Sequence, residues 1–328
     1  MATPALRALR TALPTTRITW AGGGAPQQAL EGLPWRDDVF SLAGPLAKGA
    51  RAPMRAARQL RRLGADATLL LPNSFSSALA ARLARIPTRV GTPLQRRGLL
   101  LTHKVRLPMG EKGRLAPRSM RAHYLDLVLP FGATDDGRGT QVAVTPFDAE
   151  RAARRLAGLP DGALLVGVNA GAAFGPSKVY PPALLGQAVK LLRERTGAVP
   201  LILCGPGEES LAREVAAASG EGVLSTADDP PDVGTLKGLL ARCRLLLTAD
   251  AGPRHLAEAL GVPTVVWVGP TDPRWGEGGP ATVLRVEGLT CLACHEPVCP
   301  IDHPCMLKLA PERVVEAAVG ALGARTAR

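Results

Sequence analysis

The loop Asn169–Lys178 combines residue types that bind anions. It has the sequence N-A-G-A-A-F-G-P-S-K and lies between an apolar run and a helical pattern. Gly171 and Gly175 would let backbone amides approach a phosphate closely, and Lys178 would add a positive charge. The spacing matches neither a Walker A loop nor a G-x-G-x-x-G dinucleotide motif. A flexible turn between a strand and a helix explains the loop at least as well.

A second region, Leu245–Pro273, places charged residues at the end of another apolar run. Asp250 follows L-L-L-T-A, and Gly252 begins a helical pattern with His255 in its first turn. A carboxylate at a strand end can hold sugar hydroxyls, and free amides at a helix N-terminus favour phosphate. Alternatively, Asp250 caps the helix and His255 is an ordinary surface or core histidine. The whole pattern is more specific than any single residue in it: D-x-G-x-x-H, then a strand, then G-P-T-D-P, which contains Thr271.

Polar residues also follow an apolar run in the first half of the chain. Asn73 and Ser74 come directly after the predicted strand Ala67–Leu71. Ligands bind at the carboxyl ends of strands in open parallel sheets, so both residues are candidates for a binding site. Capping of the next helix explains them equally well.

Four of the six cysteines are concentrated near the C-terminus: Cys291, Cys294, Cys299 and Cys305. One C-x-x-C pair with two further thiols could form a tetrahedral zinc site or hold an iron–sulfur cluster. The spacing is irregular compared with zinc ribbons, so reduced thiols or a local disulfide fit it as well. Cys204 and Cys243 lie in apolar segments and are predicted to be core residues.

Strands and helices must position these loops, and the two patterns alternate along the chain. This alternation predicts an α/β fold with mainly parallel sheets covered on both faces. A chain of 328 residues is long enough for two such domains. The stretch Pro130–Pro146 is polar and Gly-rich, so we expect it to link domain 1–140 to domain 141–328 across a cleft.

The first residues, M-A-T-P-A-L-R-A-L-R, predict a helix with Thr3 at the N-cap and Pro4 at the first helical position. No strand pattern comes before this helix. We therefore expect the first strand of the N-terminal sheet to be missing, which would leave a gap or an exposed strand edge.

The net charge of +12 predicts an anionic partner, although an arginine-rich solvated surface explains it too. Aromatic residues make up only 3% of the chain, and no zinc-finger, RNA-recognition or helix-turn-helix pattern is present. These observations argue against a nucleic-acid partner. No apolar run reaches about 18 residues and no signal-peptide pattern is found, so we expect a cytoplasmic protein.

The segments L-P-N-S-F-S-S-A-L, N-A-G-A-A-F-G-P-S-K, D-x-G-x-x-H and G-P-T-D-P, in this order, resemble the lipopolysaccharide heptosyltransferase II branch of glycosyltransferase family 9. The resemblance covers essentially the whole chain. It implies the GT-B architecture of two Rossmann-like, doubly wound domains, the first binding the acceptor and the second binding ADP-heptose. It also implies an inverting transfer of L-glycero-D-manno-heptose from ADP-heptose to the inner core of lipopolysaccharide.

By the same resemblance, Lys178 contacts the donor diphosphate and Asp250 holds the heptose, so these two are the expected catalytic residues. The remaining donor-site residues would be Asn169, Gly171, Gly175, Ser177, Gly252, His255 and Thr271. Asn73, Ser74 and the basic stretch Arg96–Arg106 would face the acceptor. In the family, a Gly-Asp loop before the first helix supplies the expected general base. This sequence has no counterpart, and Met1 is expected to align with an internal methionine.

The resemblance requires no metal for catalysis, so zinc at the Cys-rich loop 291–305 would be structural. The expected partners are the ADP-heptose donor, a phosphorylated lipid A–Kdo–heptose acceptor and the anionic inner face of the inner membrane, without nucleic acid. The enzyme would be peripheral on that membrane. Two alternatives stay open: a GT-B enzyme using another nucleotide sugar, and a truncated, inactive member that binds only nucleotide or anionic lipid.

Overall fold

The chain divides into two units, Met1–Thr140 and Gln141–Arg328. We describe them from a computed structural model that covers residues 1–42, 49, 51–110, 115–160 and 162–326. Strands and helices alternate in both units, and the ladders between their strands are parallel. The predicted α/β fold with parallel sheets is therefore confirmed.

The second unit contains one six-stranded sheet whose strand order is β11-β10-β9-β6-β7-β8. Its strands are β6 (Leu165–Asn169), β7 (Val199–Leu203), β8 (Leu224–Ser225), β9 (Leu245–Ala249), β10 (Thr264–Trp267) and β11 (Thr282–Leu284). The order runs outward in both directions from the β6–β9 pair, as in a doubly wound Rossmann-like sheet. The β6–β9 pair is thus the switch point, where the loops after adjacent strands separate to opposite faces.

Helices cover both faces of this sheet because the central strands are apolar on both sides. In β9, Leu245 and Leu247 pack into one core cluster, whereas Leu246 between them packs into the other. The helices are α6 (Pro146–Arg155), α7 (Pro182–Thr196), α8 (Glu209–Ser219), α9 (Val233–Arg242), α10 (Gly252–Ala259), α11 (Pro304–Leu307) and α12 (Pro311–Thr326). This arrangement gives a rigid, fully buried platform for the loops at the strand ends.

The strands of the first unit form a two-stranded sheet, β1-β2, and a three-stranded sheet, β3-β4-β5. They are β1 (Thr19–Gly22), β2 (Asp38–Ser41), β3 (Ala67–Leu69), β4 (Thr88–Gly91) and β5 (His103–Lys104). The helices are α1 (Thr3–Ala12), α2 (Ala25–Leu30), α3 (Ala52–Arg61), α4 (Phe75–Leu83) and α5 (Met120–Val128). In the described residues, the continuous doubly wound sheet is therefore a feature of the second unit.

Helix α1 corrects the prediction made from the first residues. Ala2 occupies the N-cap position, and Thr3 with Pro4 forms the first turn. Proline is tolerated throughout the first turn because its missing N–H has no partner there in any case. The apolar face of the helix, with Ala5 and Leu9, packs against Val128 of α5.

The stretch predicted as a linker is held by side chains of both units. In the first unit, Arg7 of α1 is 3% exposed and donates to both carboxylate oxygens of Asp136, at 2.7 and 2.5 Å, and to the Gly139 carbonyl. In the second unit, the fully buried Lys237 donates to the Ala143 carbonyl at 2.7 Å. The polar composition of this stretch therefore serves specific contacts as well as exposure to solvent.

We expect Asp136→Asn to lower the melting temperature at neutral pH. The hydrogen bond from Arg7 is the main reason why the pKa of Asp136 lies well below its usual value of 3.8. A carboxyl whose pKa is depressed by folding stabilises the protein above its unfolded pKa, and this stability is lost as the pH falls toward the folded pKa. The difference in melting temperature between Asp136→Asn and the unchanged protein should thus be largest at pH 6–8 and should become smaller below about pH 4. Asp135→Asn, at an exposed neighbour, is the control for melting curves, and equal curves for both variants would contradict this role.

Candidate active site

The loops after β6 and β9 meet at the switch point of the second unit. Asn169, the last residue of β6, pairs in register with Thr248 of β9. Its amide nitrogen donates to the Gly171 carbonyl at 2.7 Å and to the Thr248 hydroxyl at 3.2 Å, and the residue is 3% exposed. Asn169 was predicted to contact the ADP-heptose donor. In the structure, its side-chain amide anchors the loop that follows β6.

Lys178 and Asp250 form a buried ion pair at this point. Lys178 ends a short 3₁₀ turn, Pro176–Lys178, and is 8% exposed. Its Nζ donates to the Asp250 carbonyl at 2.7 Å and to Asp250 Oδ2 at 3.1 Å. Nζ also lies 5.1 Å from the ring centroid of Phe174, close enough for a cation–π contact. The structure thus brings together the two residues predicted to be catalytic.

Asp250 binds three donors with its side chain and is not the helix cap. Arg254 Nη1 donates to Oδ1 at 2.8 Å, and Thr271 Oγ1 donates to Oδ2 at 3.1 Å, beside Lys178. Ala251 occupies the N-cap position of α10 without a side-chain hydrogen bond to it, so the capping interpretation was wrong. Burial alone would raise the pKa of Asp250, but the charges of Lys178 and Arg254 outweigh it and hold the pKa below its usual value.

Arg254 and Glu258 extend this cluster, although no sequence motif predicted either of them as a site residue. Arg254 is 2% exposed and donates from Nε to Glu258 Oε1 at 2.7 Å and from Nη2 to the Gly276 carbonyl at 3.0 Å. His255 Nδ1 lies 3.9 Å from Glu258 Oε2. The spacing of four residues from Asp250 to Arg254 and from Arg254 to Glu258 was the available signal, because such residues share one side of a helical turn.

The glycines of the site differ in what surrounds them. A β-carbon on Gly171 would collide with the Glu208 carboxylate, which accepts from the Gly205 amide at 2.8 Å. Gly175, with φ of 145°, would collide with the Pro297 carbonyl. Gly252 faces open space at the first turn of α10. Of these three predicted residues, Gly252 has the accessible backbone, whereas Gly171 and Gly175 make close packing possible.

Ser177 is held by the C-terminal part of the chain. It is 3% exposed, its Oγ donates to the Glu296 carbonyl at 2.6 Å, and its amide donates to the Pro297 carbonyl at 3.1 Å. Its carbonyl accepts from His303 Nε2 at 2.7 Å. Ser177 was predicted to contact the ADP-heptose donor. In the structure, its hydroxyl, amide and carbonyl all form hydrogen bonds with the Cys-rich segment.

In the first unit, Asn73 and Ser74 belong to a hydrogen-bonded loop around a buried arginine. Ser74 caps α4 by accepting from the Ser77 amide, which is the alternative that the sequence left open. Asn73 Oδ1 accepts from Thr92 Oγ1 at 2.6 Å and from Arg97 Nη2 at 3.3 Å. Arg97 is fully buried, so this part of the basic stretch points inward rather than toward a ligand. Residues 111–114, in the basic region that follows, lie outside the described part.

The Cys-rich segment, residues 291–305, was tested as a metal site. All six cysteines are free, and within the described residues no group of three or more His, Cys, Asp or Glu side chains is placed to hold a metal ion. A structural zinc at Cys291, Cys294, Cys299 and Cys305 stays a prediction. Burial, and then the neighbouring thiols, raises the pKa of Cys305 to about 11, which keeps this thiol protonated. Cys204 and Cys243 are buried, as predicted.

A family model for glycosyltransferase family 9 (heptosyltransferase) matches residues 54–303, which is more than half of the chain. The chain belongs to glycosyltransferase family 9. Among curated family members, lipooligosaccharide heptosyltransferase 2 of Campylobacter jejuni is 28% identical over 208 residues, which are 61% of this chain and 58% of that protein. The chain thus matches less than two thirds of the length of this relative.

Solved structures of the family share the fold. ADP-heptose lipopolysaccharide heptosyltransferase II of Escherichia coli is 21% identical with a TM-score of 0.77, covering 99% of this chain and 95% of that one. A family 9 glycosyltransferase from Veillonella parvula is 22% identical with a TM-score of 0.81, covering 98% and 92%. At this identity the likeness shows the fold, and the GT-B type of α/β architecture expected from the resemblance is confirmed.

Proposed function

We propose that this chain is an inverting glycosyltransferase that transfers heptose from ADP-heptose to the inner core of lipopolysaccharide. The buried Lys178–Asp250 pair at the β6–β9 switch point, in a chain of family 9, is the observation that supports this function best. The names of relatives from Campylobacter jejuni and Escherichia coli describe heptosyltransferases, and one solved structure is described as using ADP-heptose. The alternation of strands and helices alone would fit many nucleotide-binding proteins.

The site offers positive charge where a diphosphate leaving group would depart. In the transfer, the acceptor oxygen forms a bond to the anomeric carbon, the bond from that carbon to the diphosphate oxygen breaks, and the acceptor proton goes to a base. The charge that develops on ADP would be stabilised by Lys178 Nζ and by the open amides at the first turn of α10, near Gly252. We infer that these groups allow the reaction to proceed without a metal ion.

Asp250 would act on the sugar rather than as the base. Its pKa is lowered and its oxygens already accept from Lys178, Arg254 and Thr271, so it is a weak proton acceptor. A carboxylate has about four lone-pair positions, which leaves room for one sugar hydroxyl. We propose that Asp250 holds a heptose hydroxyl while it keeps Lys178 and Thr271 in place, and that His255 lines the same pocket.

The experiment that tests this function is a panel of donors with a truncated lipopolysaccharide acceptor. We expect transfer from ADP-heptose, slower or no transfer from ADP-mannose, UDP-sugars and GDP-sugars, and unchanged rates in EDTA. Preference for another nucleotide sugar would replace the proposed donor. Binding of ADP without transfer from any donor would instead support a member that only binds nucleotide.

We further propose that the first unit binds the anionic inner face of the membrane and its phosphorylated lipid acceptor. No helix in the described residues is long and apolar enough to cross a membrane. Arg96, Lys104 and Arg106 are exposed, and Leu99 beside them is 92% exposed. Basic residues next to an exposed apolar side chain favour anionic lipid surfaces.

Removal of these charges should weaken binding to vesicles. Each basic residue near an anionic surface contributes about 1 kcal/mol, so the combined change Arg96→Ala, Lys104→Ala and Arg106→Ala should reduce binding roughly a hundredfold. Co-sedimentation with vesicles of phosphatidylglycerol and phosphatidylethanolamine measures this. Arg154→Ala, Lys190→Ala and Arg242→Ala remove the same charge from exposed positions of the second unit and serve as the matched control. Equal losses in both triple variants would show that only net charge matters.

A further inference from the structure

The Cys-rich segment contacts two of the strand-end loops that form the site. The amides of Ala293 and His295 donate to the carbonyls of Gly269 and Pro270, at 3.0 and 2.7 Å. These carbonyls directly precede Thr271, which donates to Asp250. Cys305 also packs closely against Gly269, since a β-carbon on this glycine would collide with the Cys305 sulfur. One side of the segment is therefore fixed to the loop after β10.

The other side of the segment holds the turn that carries Lys178. Ser177 donates from its hydroxyl to the Glu296 carbonyl and from its amide to the Pro297 carbonyl, and it accepts from His303. The Pro297 carbonyl also fills the space where Gly175 lacks a side chain. The backbone of Lys178 is also held by β10, because Trp267 Nε1 donates to the Lys178 carbonyl at 3.3 Å. Among these contacts, His303 provides the one made by a side chain of the segment to Ser177.

We propose that the Cys-rich segment positions Lys178 against Asp250, and that His303 is the positioning residue that locks the Pro176–Lys178 turn. The inference rests on the proposed function for its catalytic consequence, because the positioned groups are those assigned to the donor. Lys178 and Thr271 both donate to Oδ2 of Asp250, and each lies on a loop that this segment holds. The segment thus sets the distance between the loops after β6 and β10, two strands that are separated by β9 in the sheet.

The contact with the Ser177 carbonyl requires a hydrogen-bond donor on the side chain of residue 303. Its partner is a carbonyl oxygen, which only accepts, so Nε2 of His303 must carry the hydrogen. Glutamine can place an N–H₂ group near the position of Nε2, whereas leucine fills a similar volume without a donor. The pair His303→Gln and His303→Leu therefore separates the hydrogen bond from the packing of the ring.

Hydrogen exchange tests the positioning role without any ligand. In His303→Leu, we expect faster amide exchange in the peptide that covers residues 170–180, which contains the amides of Ser177, Lys178 and Val179. His303→Gln should restore slow exchange. Val298→Ala, at an exposed position of the same segment, is the matched control and should exchange like the unchanged protein. Unchanged exchange in His303→Leu, or equal exchange in both His303 variants, would overturn the proposal.

Titration with ADP and donor kinetics test the consequence for the site. We expect His303→Leu to weaken ADP binding and to raise the donor KM by about tenfold, while the acceptor KM stays the same and His303→Gln stays within threefold of the unchanged protein. If His303→Leu does not fold, Ser177→Ala removes a second contact between the segment and the same turn, the bond from the Ser177 hydroxyl to the Glu296 carbonyl, and should likewise speed exchange in residues 170–180. Failure of the unchanged protein to bind ADP would refute the proposed function, and the exchange experiment would still decide the positioning role.

Discussion

Asp250→Asn is expected to lower kcat/KM for the donor by about a thousandfold while the protein stays folded. A hydrogen bond to a charged group contributes about 1.5–3 kcal/mol, a misplaced Lys178 would cost up to about a further hundredfold, and each 1.36 kcal/mol is a factor of ten in rate. Arg254 keeps its partner Glu258 at 2.7 Å, and Lys178 keeps the Asp250 carbonyl at 2.7 Å, so both cations retain acceptors. The loss should therefore appear in donor use more than in stability.

Steady-state kinetics with ADP-heptose and a melting curve together measure this effect. Asp228→Asn is the matched control: Asp228 is also ion-paired to an arginine, but its side chain is 95% exposed, and such pairs contribute little. Because the pKa of Asp250 is lowered from its usual value of 3.8, its ionised form persists below that pH, and its contribution to activity is lost only as the pH falls further. A kcat/KM within threefold of the unchanged protein would refute the assigned role.

Lys178→Met should weaken ADP binding by about a hundredfold and reduce kcat as well. A charged hydrogen bond contributes about 1.5–3 kcal/mol, and methionine keeps the length of the side chain without the charge. Lys178 lies 3.1 Å from Asp250 and is 8% exposed, so the substitution leaves the packing against Phe174 largely in place. The loss of charge would also raise the pKa of Asp250, because one fewer cation would then offset the effect of burial.

Calorimetric titration with ADP and single-turnover rates measure the two parts of this prediction. Lys178→Arg should recover only part of the affinity, because a planar guanidinium cannot occupy the position of a compact ammonium group. Lys190→Met removes a lysine from an exposed position of α7 and is the control. Full ADP affinity in Lys178→Met would show that the diphosphate binds elsewhere.

The strands that carry the loops of the candidate site could be predicted from the sequence. Short apolar runs identified β6, β9 and β10, and the family resemblance placed Lys178 and Asp250 in one site, but their ion pair was not predicted. The short strands β8 and β11 were missed because two or three residues carry no periodic signal. Helix α2, with A-P-Q-Q-A-L, was missed because its six residues make fewer than two helical turns.

The partners of individual polar groups could not be predicted. Ser177 was expected to contact the sugar donor because of the family resemblance, but its partners in the structure lie 119 and 126 residues away in the sequence. Arg254 and Glu258 became visible only when their packing against the loop 276–279 was seen, where β-carbons on Gly276 and Gly279 would collide with them. Asn73 likewise turned out to accept from a buried arginine. Local motifs locate a site, whereas long-range contacts decide what each residue does in it.

The pairing of β6 with β9 makes the donor site a late product of folding. Asn169 and Thr248 are 79 residues apart in sequence, and a contact across such a span forms only after a large loss of chain entropy. β7 and β8 lie between them in the sequence but to one side in the sheet, so the β6–β9 contact closes a longer stretch of chain than the β6–β7 contact does. A nascent or partly unfolded chain therefore lacks the Lys178–Asp250 pair, and the proposed ligand ADP would stabilise only the completed sheet.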